Sequence, residues 1–168
     1  GLMGMCLHPE FEKNRFVYLA FGHTDGDIRV VRYVYNAAKG QVHEGGAGEF
    51  SDETIIVKGI KAGANHAGCC VKFGPDGKLY ISTGEMFQAK LAQDMTGING
   101  KILRVNDDGT IPSDNPFVGE EFKAKGVRPE IWSYGHRNPQ GFDWQPGTGL
   151  MFGTEHGPSG EGGTGSGG

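Results

Sequence analysis

The sequence predicts an all-β protein made of antiparallel hairpins, and among all-β architectures a β-propeller with about three blades present. Three observations carry this. Glycine supplies 31 of 168 residues, against a usual share of about 7%, and much of it stands in turn contexts such as Pro75-Asp76-Gly77, Asp107-Asp108-Gly109 and Pro146-Gly147-Thr148-Gly149. Such turns are what many short strands require. Helical periodicity is weak everywhere except around Gln88 to Met95. An apolar strand, a proline turn and a second apolar strand recur near residues 5–21, 71–85 and 142–155, with the prolines at 9, 75 and 146. Units repeating at that spacing with long insertions read as one hairpin per blade, each blade burying its faces against its neighbours. A propeller closes with about four blades or more, so three predict a piece of a larger ring, or open edges that something else covers.

In chain order, Met5 to Phe11 forms a polar hook before a β-rich run, Arg15 to Phe21. Ile28 to Tyr35 alternates as a second strand and Glu53 to Val57 offers a third. Asn36 to Asp52 between them reads as a polar, glycine-rich connection. Gly63 to Gly68 precedes the next hairpin, Val71–Phe73 and Lys78–Thr83 about a turn at Gly74–Gly77. Asn106 to Gly126 is a long polar loop, because Pro112 and Pro116 disfavour regular pairing. Trp132, Tyr134 and Trp144 read as core or channel-wall aromatics. Residues 1–160 make one partial propeller, and 161–168 a glycine-rich tail or linker.

Composition excludes several function classes. A net charge of −4 with 16 scattered Lys and Arg residues gives no footprint for nucleic acid. No apolar run approaches the ~20 residues that cross a bilayer, and no signal-peptide pattern opens the chain. Cys6, Cys69 and Cys70 are too few for a disulfide framework or a zinc site and read as buried or half-buried thiols. Asp107-Asp108-Gly109 and Asp114-Asn115 lack the spacing of a calcium loop and read as turns.

Chemistry concentrates between Ile131 and Pro158. Apolar runs there end in two polar clusters, Gly135-His136-Arg137-Asn138-Pro139-Gln140 and Glu155-His156-Gly157-Pro158. A guanidinium fork, two amides and an imidazole within six residues suit a ligand better than a core. His136 itself reads as a turn or surface residue.

The segments GLMGMCLHPEFEKNRFVYLAF, NHAG, FGPDGKLYISTGE, GKILRVNDDGTIPSDNPF, PEIWSYGHRNPQGF and TEHGP resemble, almost in continuous register, the soluble quinoprotein glucose, aldose and sorbosone dehydrogenases. The resemblance covers residues 1 to about 160. It implies a six-bladed parent that holds pyrroloquinoline quinone (PQQ) and Ca2+ over its channel. The implied reaction oxidises the anomeric carbon of an aldose to a lactone and passes electrons to an external acceptor, in the periplasm or outside the cell. His66 matches the general base, and Asn65 a position that contacts the sugar. Arg137, Asn138 and Gln140 match residues at the cofactor, and Glu155, His156, Gly157 and Pro158 the calcium loop. The chemistry is consistent: hydride loss from the sugar requires a base for the C1 hydroxyl, a tricarboxylate quinone suits arginine, and calcium takes backbone oxygens. The sequence departs from the pattern at Cys69-Cys70, where relatives carry glycine and arginine, and after Pro158, where an acidic pair is usual. A non-enzymatic propeller that binds a protein, as in hedgehog-interacting relatives, and a self-associating half-propeller are the alternative readings.

Overall fold

The computed structural model describes residues 1–37 and 48–157. Pro158, the 161–168 tail and residues 38–47 of the Asn36–Asp52 connection lie outside the described residues. Three antiparallel sheets follow one another along the chain. The first contains β1 (Leu2–Leu7), β2 (Phe16–Gly22), β3 (Asp27–Asn36) and β4 (Glu49–Lys61) in sequential order. The second contains β5 (Gly68–Phe73), β6 (Leu79–Thr83), β7 (Lys101–Val105) and β8 (Ile131–Tyr134), also sequential. The third is the hairpin of β9 (Pro139–Trp144) and β10 (Met151–Glu155). These are two four-stranded propeller blades and the opening hairpin of another. The first strands β1, β5 and β9 lie side by side. Short helices α1 (Phe11–Asn14), α2 (Ala89–Gln93) and α3 (Glu120–Lys123) occupy connections.

All three hairpins expected from the proline repeat form: β1–β2, β5–β6 and β9–β10. The strands that the alternation missed are informative. β7 is buried at every residue, although it carries Lys101 and Arg104. It sits in the middle blade, so one face meets the first blade and the other meets β9–β10. Leu79, Ile81, Leu103 and Val105 pack with Tyr18, Ile28, Val30 and Ile60, while Tyr80 and Ile102 pack with Phe142 and Trp144. A strand buried on both faces has no polar alternation to read. β4 runs four residues beyond the expected strand at each end, because its ends expose polar residues on a sheet edge. Trp132 and Tyr134 are 37% and 45% exposed rather than core, since they lie on the last strand of their sheet.

The two buried cations are satisfied rather than solvated. Lys101 Nζ donates to the carbonyls of Leu91 (2.7 Å), Ala92 (3.0 Å) and Asn99 (2.7 Å). It thereby ties α2 and the loop after it to the sheet. The Arg104 guanidinium reaches Asp76, Asp114 and Asn115 at 2.8–3.0 Å and faces the Trp132 ring at 5.0 Å, which anchors the proline-containing loop. The cysteines are free thiols, and burial pushes Cys6 and Cys69 up to about 12. They are inert packing groups at neutral pH, in line with the sequence reading.

Replacing Lys101 with Met strands three buried carbonyls. Unfolding in denaturant should show a loss of about 3 kcal/mol with an unchanged slope; a loss near zero would show that the ammonium is not needed.

Candidate active site

The site forms where the loop before β5, the loop after β6 and the turn between β8 and β9 meet. Backbone packs on backbone there. A Cβ on Gly84 would lie 1.7 Å from the His66 carbonyl oxygen and 2.9 Å from Asn138 Oδ1. One on Gly68, at φ +67°, would lie 2.8 Å from the Gly84 nitrogen. Gly84 O in turn accepts from the Gly100 amide and Asn99 Nδ2, both at 3.1 Å. Glycine is the residue that permits this approach.

The loop bends so tightly that non-glycine residues take left-handed backbone: His66 at φ +55°, Met86 at +58° and Phe87 at +59°. Such strain persists where the surroundings over-determine it and clusters at functional sites. Its product here is a buried pair. His66 is 7% exposed and Glu85 3%, and His66 Nδ1 bonds to Glu85 Oε1. The Phe87 amide also donates to that oxygen (3.0 Å), while the Phe87 ring covers the imidazole, with centroids 3.7 Å apart at 28°. An ionised carboxylate only accepts hydrogen bonds. Glu85 therefore keeps the proton on Nδ1 and leaves the lone pair of the neutral ring on Nε2.

The turn between β8 and β9 brings the other expected residues alongside. The Arg137 guanidinium lies over Phe87 at 5.7 Å, and Nη1 donates to the carbonyls of Gly157 and, at 3.3 Å, His156. The His156 ring stands edge-on to His66 at 6.0 Å. Asn138 is buried at 8% and turns its carboxamide oxygen inward to the Gly68 amide (3.0 Å). The Glu85 amide donates to the Arg137 carbonyl (2.8 Å), so both loops are pinned to each other. Asn65 is exposed next to His66, and Gln140 is exposed on β9.

The sequence reading missed Glu85. The available signal was an acidic residue closing the apolar strand LYISTGE in a chain that already offered a candidate base. Among the described residues, the one side-chain cluster spaced for a metal is His23, Asp25 and Asp27, in the β2–β3 turn. Arg29 already pairs with both of those carboxylates.

The family model for glucose/sorbosone dehydrogenases matches residues 1–163. The chain belongs to that family. As a member of the glucose/sorbosone dehydrogenases it is 34% identical to aldose sugar dehydrogenase YliI of Escherichia coli, over 95% of this chain and 42% of that protein. A glucose dehydrogenase-like oxidoreductase structure from Thermus thermophilus superposes with a TM-score of 0.80 at 41% identity, covering 95% of this chain and 45% of that one. The PQQ-bound structure of an aldose sugar dehydrogenase from Streptomyces coelicolor gives 0.79 at 34% identity, covering 94% and 42%. The chain thus spans less than half the length of these family members, and the propeller architecture holds across the shared part.

A methyl group at Gly84 cannot be accommodated without moving His66. Gly84→Ala should cost about 1–3 kcal/mol and disturb the His66–Glu85 bond, read as a shift of the His66 ring nitrogens in 15N spectra; unchanged nitrogens would show that the backbone approach does not set the pair.

Proposed function

We propose that this chain supplies the base and part of the cofactor cradle of a PQQ- and calcium-dependent dehydrogenase that oxidises the anomeric carbon of an aldose to a lactone. The observation that carries the reading is the buried His66–Glu85 pair opening beside Arg137. A histidine with a carboxylate on Nδ1 is arranged to take a proton at Nε2 and to have the resulting charge stabilised. The sugar C1 hydroxyl is the proton source this reaction requires, and Asn65, exposed beside His66, would hydrogen-bond the sugar.

The donor set fits the cofactor. Arg137 presents a permanent charge to carboxylate or quinone oxygens, Phe87 offers a flat apolar face beneath it, and Asn138 and Gln140 add amide groups. When bound, PQQ accepts the hydride released from the sugar carbon. Calcium fits the second cluster on one observation: the Gly157 carbonyl already receives a cation, the Arg137 guanidinium. Gly157 and Pro158 would hold the ion through backbone oxygens, flanked by Glu155 and His156. The parent is read as a six-bladed propeller in the periplasm or outside the cell that hands electrons to an external acceptor. Residues 1–160 are read as one partial ring, whose open edges further blades or a second copy would cover.

Dye reduction by the purified chain with PQQ, calcium and a panel of aldoses tests this. His66→Ala should abolish turnover while leaving PQQ affinity within a few-fold of wild type, and Glu85→Gln should lower kcat roughly 10²-fold. Equal turnover in His66→Ala would remove His66 from the role of base.

A further inference from the structure

His136, expected as a turn or surface residue, is the centre of a hydrogen-bonded chain that the proposed chemistry does not use. Ser133 Oγ lies 2.8 Å from His136 Nε2, and His136 Nδ1 lies 2.9 Å from Glu155 Oε2. The other carboxylate oxygen accepts the Arg137 amide. The backbone of the same residue is fixed too: the His136 amide donates to Gly100 O at 3.1 Å, and the Gly135 amide to Ala92 O at 2.9 Å. One imidazole therefore links β8, β10 and the turn that carries Arg137 and Asn138. It lies on the wall of a cavity of about 320 Å³, lined also by Trp132, Pro139 and Met151.

One Glu155 oxygen faces His136 Nδ1 and the other accepts the Arg137 amide. Both oxygens are thus committed to donors on the turn. In the neutral ring the carboxylate keeps the proton on Nδ1, so Ser133 donates to Nε2.

We propose that Ser133, His136 and Glu155 are positioning residues for the cofactor turn, and that the Glu155 carboxylate serves the His136 ring and the Arg137 amide rather than a metal ion. This rests on reading that turn as the PQQ site. Arg137 can aim its guanidinium only if its backbone is held. Donors from two successive residues, the His136 ring and the Arg137 amide, converging on one carboxylate hold it more narrowly than a solvated turn would. Removing such supporting groups usually costs roughly 10–100-fold in affinity at the site they support.

The test combines PQQ titration with 15N spectra of the cofactor-free protein. His136→Phe keeps the ring's bulk without its nitrogens, and Glu155→Gln keeps the shape without the charge. Both should weaken PQQ binding by roughly tenfold or more while the His66 ring nitrogens stay where they are in the wild type. Ser133→Thr, which retains the hydroxyl, should restore what Ser133→Ala loses. In the cofactor-free wild type, His136 should show the Nδ1–H tautomer, and Glu155→Gln should move the Arg137 amide proton upfield. Variants that bind PQQ as tightly as wild type overturn the proposal, and so does an unmoved Arg137 amide. A wild type that binds no PQQ counts against the cofactor reading instead, and the amide shift then decides the relay alone. If His136→Phe does not fold, Glu155→Gln answers both questions.

Discussion

The arrangement depends on the lack of a side chain at Gly84. β6 ends there, and the His66 carbonyl, the Asn138 carboxamide and the Gly100 amide all close on its backbone. That contact forces the loop before β5 and the loop after β6 into one another, which accounts for the left-handed backbone at His66, Met86 and Phe87. The strain is held by ordinary means: hydrogen bonds from Asn99 and Gly100 on one side, and the Glu85–Arg137 backbone bond on the other. A buried imidazole and a buried carboxylate are thereby brought together where neither has water to compete for its partner.

The middle blade makes this possible by being buried on both faces. β6 and β7 have no solvent side, so their polar groups need partners from loops. Lys101 and Arg104 find them in helix-end carbonyls and in aspartates, and each pairing draws a long connection onto the sheet. Lys101 orders the residues between Glu85 and Gly100, hence the loop that carries Phe87 over His66. Arg104 orders the Asn106–Gly119 stretch away from the site. The same principle, a polar group satisfied by the loop it organises, recurs at Glu155 with the His136 ring and the Arg137 amide.

Much of this was legible in the sequence, for identifiable reasons. Proline and glycine turns have fixed backbone demands, so the three hairpins could be read from Pro9, Pro75 and Pro146. His66 was picked out by the resemblance to the quinoprotein dehydrogenases, and Arg137 and Asn138 by that resemblance and by their polar cluster between apolar runs, bounded by Gly135 and Pro139. Three features were not legible. β7 hid because burial on both faces erases alternation, and the ends of β4 hid because an edge strand tolerates polar residues. Glu85 hid because a carboxylate at a strand end reads as a solvated turn unless its partner is known. Asn138 shows the limit from the other side: the residue was singled out, but its oxygen is spent on the Gly68 amide, a contact 70 residues away in sequence that no local pattern reports.

What distinguishes a catalytic face from a well-satisfied turn is whether Arg137 answers to a ligand. Its guanidinium lies over Phe87 and donates to the carbonyls of His156 and Gly157, so a planar anionic quinone should be held there and weakened selectively when the charge is removed. The most direct measurement is an equilibrium titration of the purified chain with PQQ in the presence of calcium, followed by quinone absorbance, for wild type and Arg137→Gln. Saturable one-to-one binding, weakened roughly tenfold or more by the substitution, is the expected result. No saturable binding by the wild type, or equal affinity in Arg137→Gln, would contradict the assignment of this face as the cofactor site.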